Sequence, residues 1–198
     1  MPDRGFPRGV VELAGTTSKS NPLRGGGTTI ALAAVRAVHA ADPKAWCAWI
    51  VPRETPLLYA PAVAQAGVDL DRLLVVRPPR AALARTVVKV GTCGAFDLVV
   101  VDAFAGMDGR LKSEGAKPRQ KKNPGENAAV VVRKLALAAE EHGTVSLLLT
   151  DAYAPRPMPW PVALRLEIER RPEAIAVRVA KDRRGRADVQ HVVRVAHG

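Results

Sequence analysis

Short apolar runs alternate with amphipathic stretches through the first three quarters of the chain. The run Val10–Ala14 leads into glycine, and the pattern from Ile30 to Val35 is helical. Continuous β-branched runs such as Leu98–Val101 are typical of strands that are covered on both faces. The pattern predicts further strands at 46–51, 73–76, 96–102 and 146–150, and helices at 56–66, 81–90 and 127–142. This alternation favours right-handed βαβ units and a parallel sheet.

The pattern changes beyond Pro161. Apolar and polar residues alternate with period two in 162–168, 175–179 and 189–195. Such alternation predicts antiparallel strands with one solvated face. We therefore expect an α/β fold, with a mostly parallel central sheet flanked by helices and antiparallel strands at the C-terminal end. A single domain over 1–198 is expected from the length.

Composition narrows the class of protein. Of the 198 residues, 47% are hydrophobic, yet no apolar stretch is long enough for a membrane span, and the amino terminus has no signal-peptide core. We expect a cytoplasmic protein. Cys47 and Cys93 lie far apart without metal-ligand spacing, so we expect buried thiols, no metal and no cofactor.

The net charge of +11 indicates a polyanionic partner. A Gly/Pro-containing segment at 109–126 carries much of this charge, and its mobile basic side chains suit sequence-nonspecific phosphate contacts in DNA. The alternative is an arginine-rich solvated surface or a disordered loop. A second basic segment, at a predicted hairpin turn, suits the same partner. The candidate DNA-binding residues are Arg110, Lys112, Lys117, Arg119, Lys121, Lys122, Lys181, Arg183, Arg184 and Arg186.

A glycine-rich segment between the first strand and the first helix has the layout of a P-loop. In a working loop, backbone amides cradle phosphates, and a lysine and a hydroxyl follow the last glycine. Here Gly27 occupies the lysine position, and ten residues separate Gly15 from Gly26 where the motif has four. We expect no ATP hydrolysis and very weak ATP binding; an ordinary glycine-rich turn is the alternative. The vestigial nucleotide-binding candidates are Gly15, Gly25, Gly26, Gly27, Thr28, Thr29 and Asp102.

Several segments together resemble the RecA core, and more closely the RecA-like accessory proteins of translesion mutagenesis called ImuA. The resemblance covers nearly the whole chain. It is carried by the segments 5–15, 47–50, 67–74, 98–102, 133–135 and 164–168, of which G-V-D-x-D-x-L-L at 67–74 is the most specific.

The resemblance assigns roles to three carboxylates. Asp102 matches the Walker B aspartate that holds a water of the magnesium shell, although it could simply cap the end of a strand. Glu54 lies where RecA-like ATPases keep the glutamate that activates water. Asp151 stands where RecA has its phosphate-sensing glutamine, and a carboxylate there would repel phosphate.

The resemblance also shows departures. RecA's second DNA loop corresponds to a short proline-rich segment, in which Tyr153, Met158 and Trp160 are candidate anchors for a protein partner or, alternatively, caps on the core. The basic turn at 181–186 resembles the K-N-R-x-G motif of RadA-type proteins. RecA's amino-terminal helix has no counterpart in the sequence, so a RecA-type filament is not expected.

The resemblance implies a non-hydrolysing RecA-fold accessory factor in damage-inducible, error-prone translesion synthesis. Its implied partners are DNA, an ImuB-type polymerase-like protein, an error-prone polymerase subunit and, less strongly, RecA; no membrane partner is expected. The first alternative is an ATPase of the RecA/RadA class, in which Lys19 or Arg24 replaces the missing lysine. The second is a SulA-like cell-division inhibitor, which rests on fold kinship alone.

Overall fold

The computed structural model describes residues 6–15, 26–56, 58–102, 124–152, 161–185 and 188–194. Their elements follow the predicted order along the chain. The strands are β1 (Gly9–Gly15), β2 (Cys47–Ile50), β3 (Leu73–Val76), β4 (Leu98–Val101), β5 (Val145–Asp151), β6 (Leu164–Arg171), β7 (Ala174–Asp182) and β8 (Gln190–Arg194). The helices are α1 (Gly27–Ala41), α2 (Ala60–Gln65), α3 (Leu83–Gly91) and α4 (Pro124–His142), with 3₁₀ turns at Leu70–Arg72 and Arg80–Ala82.

All eight strands form one sheet in the order β3-β2-β4-β5-β1-β6-β7-β8. The strands from β3 to β6 in this order pair in parallel, whereas β6, β7 and β8 pair antiparallel. The predicted α/β fold class is therefore confirmed. The position of β1 follows from its sequence, since Val10 to Ala14 are buried on both faces.

Two apolar layers cover the parallel part of the sheet. On one face, Leu13, Trp49 and Leu147 pack with α1 and α2. On the other face, Ile50 and Leu148 pack with α3 and α4. The parallel part of the sheet is thus the middle of three layers, and there only the strand ends and the loops remain for binding.

The helices α3 and α4 approach each other closely at a glycine. A Cβ atom at Gly91 would fall inside the contact distance of Leu135 Cδ2. Glycine at this position therefore leaves room for the Leu135 side chain between the two helices. Helix α4 also contacts β1 and β5.

Two expectations about exposure need correction. Cys93 is exposed, not buried, because α3 ends at Gly91 and the cysteine follows in a surface turn, where its Sγ lies 3.1 Å from Val90 O. Strand β8 is exposed on both faces rather than one, because it is the last strand of the sheet. Within the described residues, no helix is long and apolar enough to cross a membrane.

Candidate functional site

The carboxyl ends of β1, β4 and β5 lie side by side at one edge of the sheet. Gly15 ends β1 in register with Asp151 of β5, and Gly15 O accepts a hydrogen bond from Ala152 N at 2.9 Å. Asp102 directly follows β4 and is buried, and its backbone N–H donates to Ile50 O at 2.8 Å. Ligands of open α/β sheets bind at this edge.

The first turn of α1 faces the same edge because the helix follows β1 in a βαβ unit. Gly26 precedes the helix with φ of 84° and is buried. A Cβ atom at Gly26 would lie 3.2–3.3 Å from the side chains of Ile168 and Ile175, so the turn rests directly on β6 and β7. The backbone angle favours glycine here, and the close approach leaves little room for a Cβ atom.

Gly27 is the first residue of α1 and differs from Gly26 in both respects. It is buried, its φ is outside the left-handed region, and a Cβ atom would meet only Leu149 Cδ2, at 3.9 Å. A Cβ atom therefore fits here on the present backbone. Thr28 is half-buried and Thr29 is exposed. The first turn of α1 carries no acidic residue, so its amides keep the partial positive charge that attracts anions.

We call this part of the carboxyl edge the glycine-rich frame; it comprises Gly15, Gly26 and Gly27 together with Asp102 and Asp151. Amides of the helix amino terminus favour an anion, whereas Asp102 and Asp151 bring negative charge to the ends of the neighbouring strands. Gly25, Lys19 and Arg24 lie outside the described residues.

Glu54 has a structural partner in the loop after β2. Its Oε1 accepts a hydrogen bond from Arg80 N at 3.3 Å, and hydrogen bonds from its own backbone and from Arg80 lower the pKa of the carboxyl. Arg77 braces the same loop by donating to Arg53 O at 2.8 Å and Thr55 O at 2.9 Å. The carboxylate therefore caps the turn that leads into α3.

A buried carboxylate that the sequence reasoning did not single out lies in the middle of β1. Glu12 is 2% exposed; Thr150 Oγ1 donates to its Oε1 at 2.8 Å, and Arg165 Nη1 lies 3.8 Å from its Oε2. Glu12 Oε2 and Arg165 Nε have no hydrogen-bond partner among the described residues. Burial raises the pKa of the Glu12 carboxyl, although Thr150 and Arg165 oppose this shift. The only sequence signal was one glutamate inside an apolar run.

The basic hairpin turn between β7 and β8 is built by local hydrogen bonds. Asp182 Oδ1 accepts from Arg184 N at 2.8 Å, Asp182 O accepts from Gly185 N at 3.0 Å, and Gly185 has φ of 81°. Arg183 N donates to Ala163 O at 3.0 Å. The turn holds the side chains of Arg183 and Arg184 in solvent, and Lys181 is half-buried beside them.

The structure places this basic turn far from the glycine-rich frame. Ala163, which binds Arg183 N, also donates its own N–H to Val10 O near the start of β1. Five further residues of β1, about 17 Å of strand, separate Val10 from Gly15. The basic turn therefore lies near the amino ends of the parallel strands, whereas the glycine-rich frame lies at their carboxyl ends. The two candidate sites are too far apart to bind one phosphate within a single chain.

The remaining candidates lie outside the described residues: Arg110, Lys112, Lys117, Arg119, Lys121, Lys122, Arg186, Tyr153, Met158 and Trp160. The basic segment at 109–126 follows Asp102 in the chain, and its last three residues, 124–126, begin helix α4 rather than belonging to a loop as predicted. Across the described ranges, no group of three or more metal-ligating side chains comes together.

Comparison with known proteins agrees with this architecture. No family model matches the chain. Protein RecA of Deinococcus radiodurans is 32% identical to it over 153 residues, which is 74% of the chain and 39% of that protein. The match thus spans about two fifths of the curated relative. An α/β sheet with antiparallel strands at its C-terminal end is consistent with a RecA-like core, and the likeness to RecA supports a RecA-like relationship.

Proposed function

We propose that this chain is a RecA-fold accessory factor that does not hydrolyse nucleotide and acts in damage-inducible, error-prone translesion DNA synthesis. The observation that carries the first part is Gly27, which occupies the first residue of α1 at the carboxyl edge, beside strands that end in Asp102 and Asp151. Phosphoryl transfer depends almost entirely on positioning and charge stabilisation. A frame without the lysine lacks the charged group that would position and stabilise the terminal phosphate.

DNA is the proposed nucleic-acid ligand. The net charge of +11 favours a polyanion, and Arg183 and Arg184 project from a turn whose backbone is already fixed by hydrogen bonds. Such side chains neutralise phosphates without reading sequence. The basic segment at 109–126 is the second proposed contact with DNA. It follows β4 in the chain, whereas the hairpin turn follows β7.

Proteins of the mutagenesis machinery are the proposed partners. The resemblance to ImuA supports an ImuB-type polymerase-like protein and an error-prone polymerase subunit, with RecA as a further candidate. Tyr153, Met158 and Trp160 are the proposed anchors for such a partner.

Calorimetry with ATP and a phosphate-release assay, each with and without single-stranded DNA, test the nucleotide part. We expect ATP binding weaker than about millimolar and no turnover above background. Turnover that disappears in Asp102→Asn would contradict the proposal and favour the ATPase alternative. The observation that supports the ATPase alternative is the burial of Asp102 directly after β4.

Salt-dependent DNA binding tests the second part. On single strands, log affinity should fall with log salt by about 0.7 per neutralised phosphate. Replacement of Arg183 and Arg184 by alanine should lower this slope by about 1.4 if both contact phosphates. A matched control removes two exposed basic residues on α4, Arg133 and Lys134, and should leave the slope unchanged. Equal slopes in wild type and in the Arg183/Arg184 variant would remove the hairpin turn from the interface.

A further inference from the structure

Strand β8 forms one end of the sheet. It pairs with β7 on one side, and no described strand lies on its other side. All five of its side chains are exposed, and Val192 and Val193, on opposite faces of the strand, are 56% and 57% exposed. These are large exposures for adjacent valines in a strand.

The backbone pairing shows which polar groups point away from the sheet. Val179 N donates to Val189 O at 2.9 Å, and the register continues with Val177 opposite His191 and Ile175 opposite Val193. Bonding alternates along an antiparallel pair, so these β8 residues direct their N–H and C=O groups to β7. The intervening residues direct theirs outward. They are Gln190, Val192 and Arg194.

From Gln190 to Arg194 the edge lacks the usual features that prevent pairing with another chain. Natural edge strands are blunted by lysine, proline, bulges or inward charges. A bulge lies just before β8, where Asp188, with φ of 65°, and Val189 both bond to Val179, but the pairs from Gln190 to Arg194 keep a regular register and their centre is Val192-Val193. The outward row of backbone groups is therefore suited to accept a strand.

The charges around β8 select the occupant. Arg194 lies at one end of the strand, exposed Arg184 lies in the turn at the other, and β8 itself has no carboxylate. Asp188, the acidic residue that precedes β8 most closely in the sequence, has its Oδ1 3.4 Å from Arg178 Nη1. A second copy of this chain, with its net charge of +11, and its own basic segment at 109–126 do not complement this edge.

We propose that the outer edge of β8 binds an extended acidic segment of a partner protein as a ninth strand. Main-chain hydrogen bonds to Val192 and its outward neighbours supply affinity, the exposed valines contact apolar side chains of the segment, and Arg194 selects carboxylates. This surface goes beyond the proposed function, because it requires neither DNA nor nucleotide.

The probe is a short fluorescent peptide that alternates valine with aspartate, with binding followed by anisotropy on the full chain. Val192→Pro removes an outward N–H and no bond to β7, whereas Val192→Thr keeps the N–H and the branched side chain. We expect wild type and Val192→Thr to bind alike and Val192→Pro to bind at least about fivefold more weakly. Added salt should weaken peptide binding less in Arg194→Gln than in the wild type, because the variant lacks one charge that salt screens.

Peptide chemistry provides an independent arm if Val192→Pro does not fold, as judged by its circular dichroism melt. The same peptide methylated on its backbone nitrogens along one edge should not bind, and a valine–lysine peptide should bind much more weakly. Equal binding of the methylated peptide, equal binding of folded Val192→Pro, or no binding of the acidic peptide overturns the proposal. Concentration-dependent dimers that Val192→Pro dissociates would also overturn it, by identifying a second copy as the occupant. DNA binding should be unchanged in every variant.

Discussion

Gly27→Lys should restore part of the missing nucleotide affinity. Position 27 is the first residue of α1, its backbone is not left-handed, and a Cβ atom would meet only Leu149 Cδ2 at 3.9 Å. The Cβ atom of the new side chain therefore fits without movement of the strand or helix. The new ammonium group would emerge at the carboxyl edge where β4 and β5 end.

The size of the gain follows from the contact that lysine would make. A hydrogen bond assisted by charge contributes about 1.5–3 kcal/mol, and tenfold in affinity corresponds to about 1.4 kcal/mol. ATP affinity should therefore rise by about 10-fold to 150-fold over wild type. Hydrolysis should remain absent, because Asp151 still brings a carboxylate to the edge.

Gly27→Met is the matched control, since it adds a long side chain without charge. Both substitutions remove a glycine from the first turn of a helix, which stabilises by about 0.5–1 kcal/mol and raises the melting temperature by about 1–4 °C in a chain of this length. Lysine loses part of this gain against the helix dipole. Calorimetry should detect tighter ATP binding only in Gly27→Lys. If both variants bind ATP equally, the charge argument is wrong.

Further predictions concern stability. Glu12→Gln keeps an acceptor for Thr150 but cannot ionise. In chemical unfolding, the stability of the wild type should decline as pH rises from 4.5 through the raised folded-state pKa of Glu12, and the stability of the variant should not. Parallel pH profiles of the two proteins would contradict this. Gly91→Ala should destabilise the protein by about 1–3 kcal/mol through overpacking against Leu135. In a double-mutant cycle, Leu135→Ala in the same chain should offset part of that loss. If the destabilisations of the two single variants simply add in the double variant, the contact is excluded. Arg72→Lys should lower the melting temperature, because Arg72 donates to Asp69 Oδ2 at 2.8 Å and to Asp42 O at 3.0 Å, a fork that lysine does not reproduce; an unchanged melt would mean that the fork contributes nothing.

The sequence predicted the sheet well because its signals are local. The continuous apolar run at Leu98–Val101 reflects burial on both faces of a strand, and the alternation in 164–168 reflects burial on one face. Both segments are strands in the expected part of the sheet. The placement of Gly15, Asp102 and Asp151 at one edge also followed, since the ends of parallel strands share an edge.

The contacts that depend on distant residues could not be predicted in the same way. The environment of Glu12 depends on Thr150 and Arg165, which join it only through strand register. The separation of the basic hairpin turn from the glycine-rich frame depends on β7 running back along β6. The pattern predicted the end of α3 to within one residue, but it does not show whether Cys93, in the turn that follows, faces the core or solvent.

The central position of β1 has a consequence for synthesis of the chain. Gly9 pairs with Val145 of β5, and Val11 pairs with Leu164 of β6. The first described strand, β1, therefore cannot complete its pairing until both of these later strands have been synthesised. At ribosomal rates of about 5–20 residues per second, the wait is on the order of ten seconds. During that time the apolar segment from Val10 to Ala14 has no strand partner and is a candidate for chaperone binding. A ribosome that stops before β6 is made therefore leaves a chain whose innermost strand is still an edge.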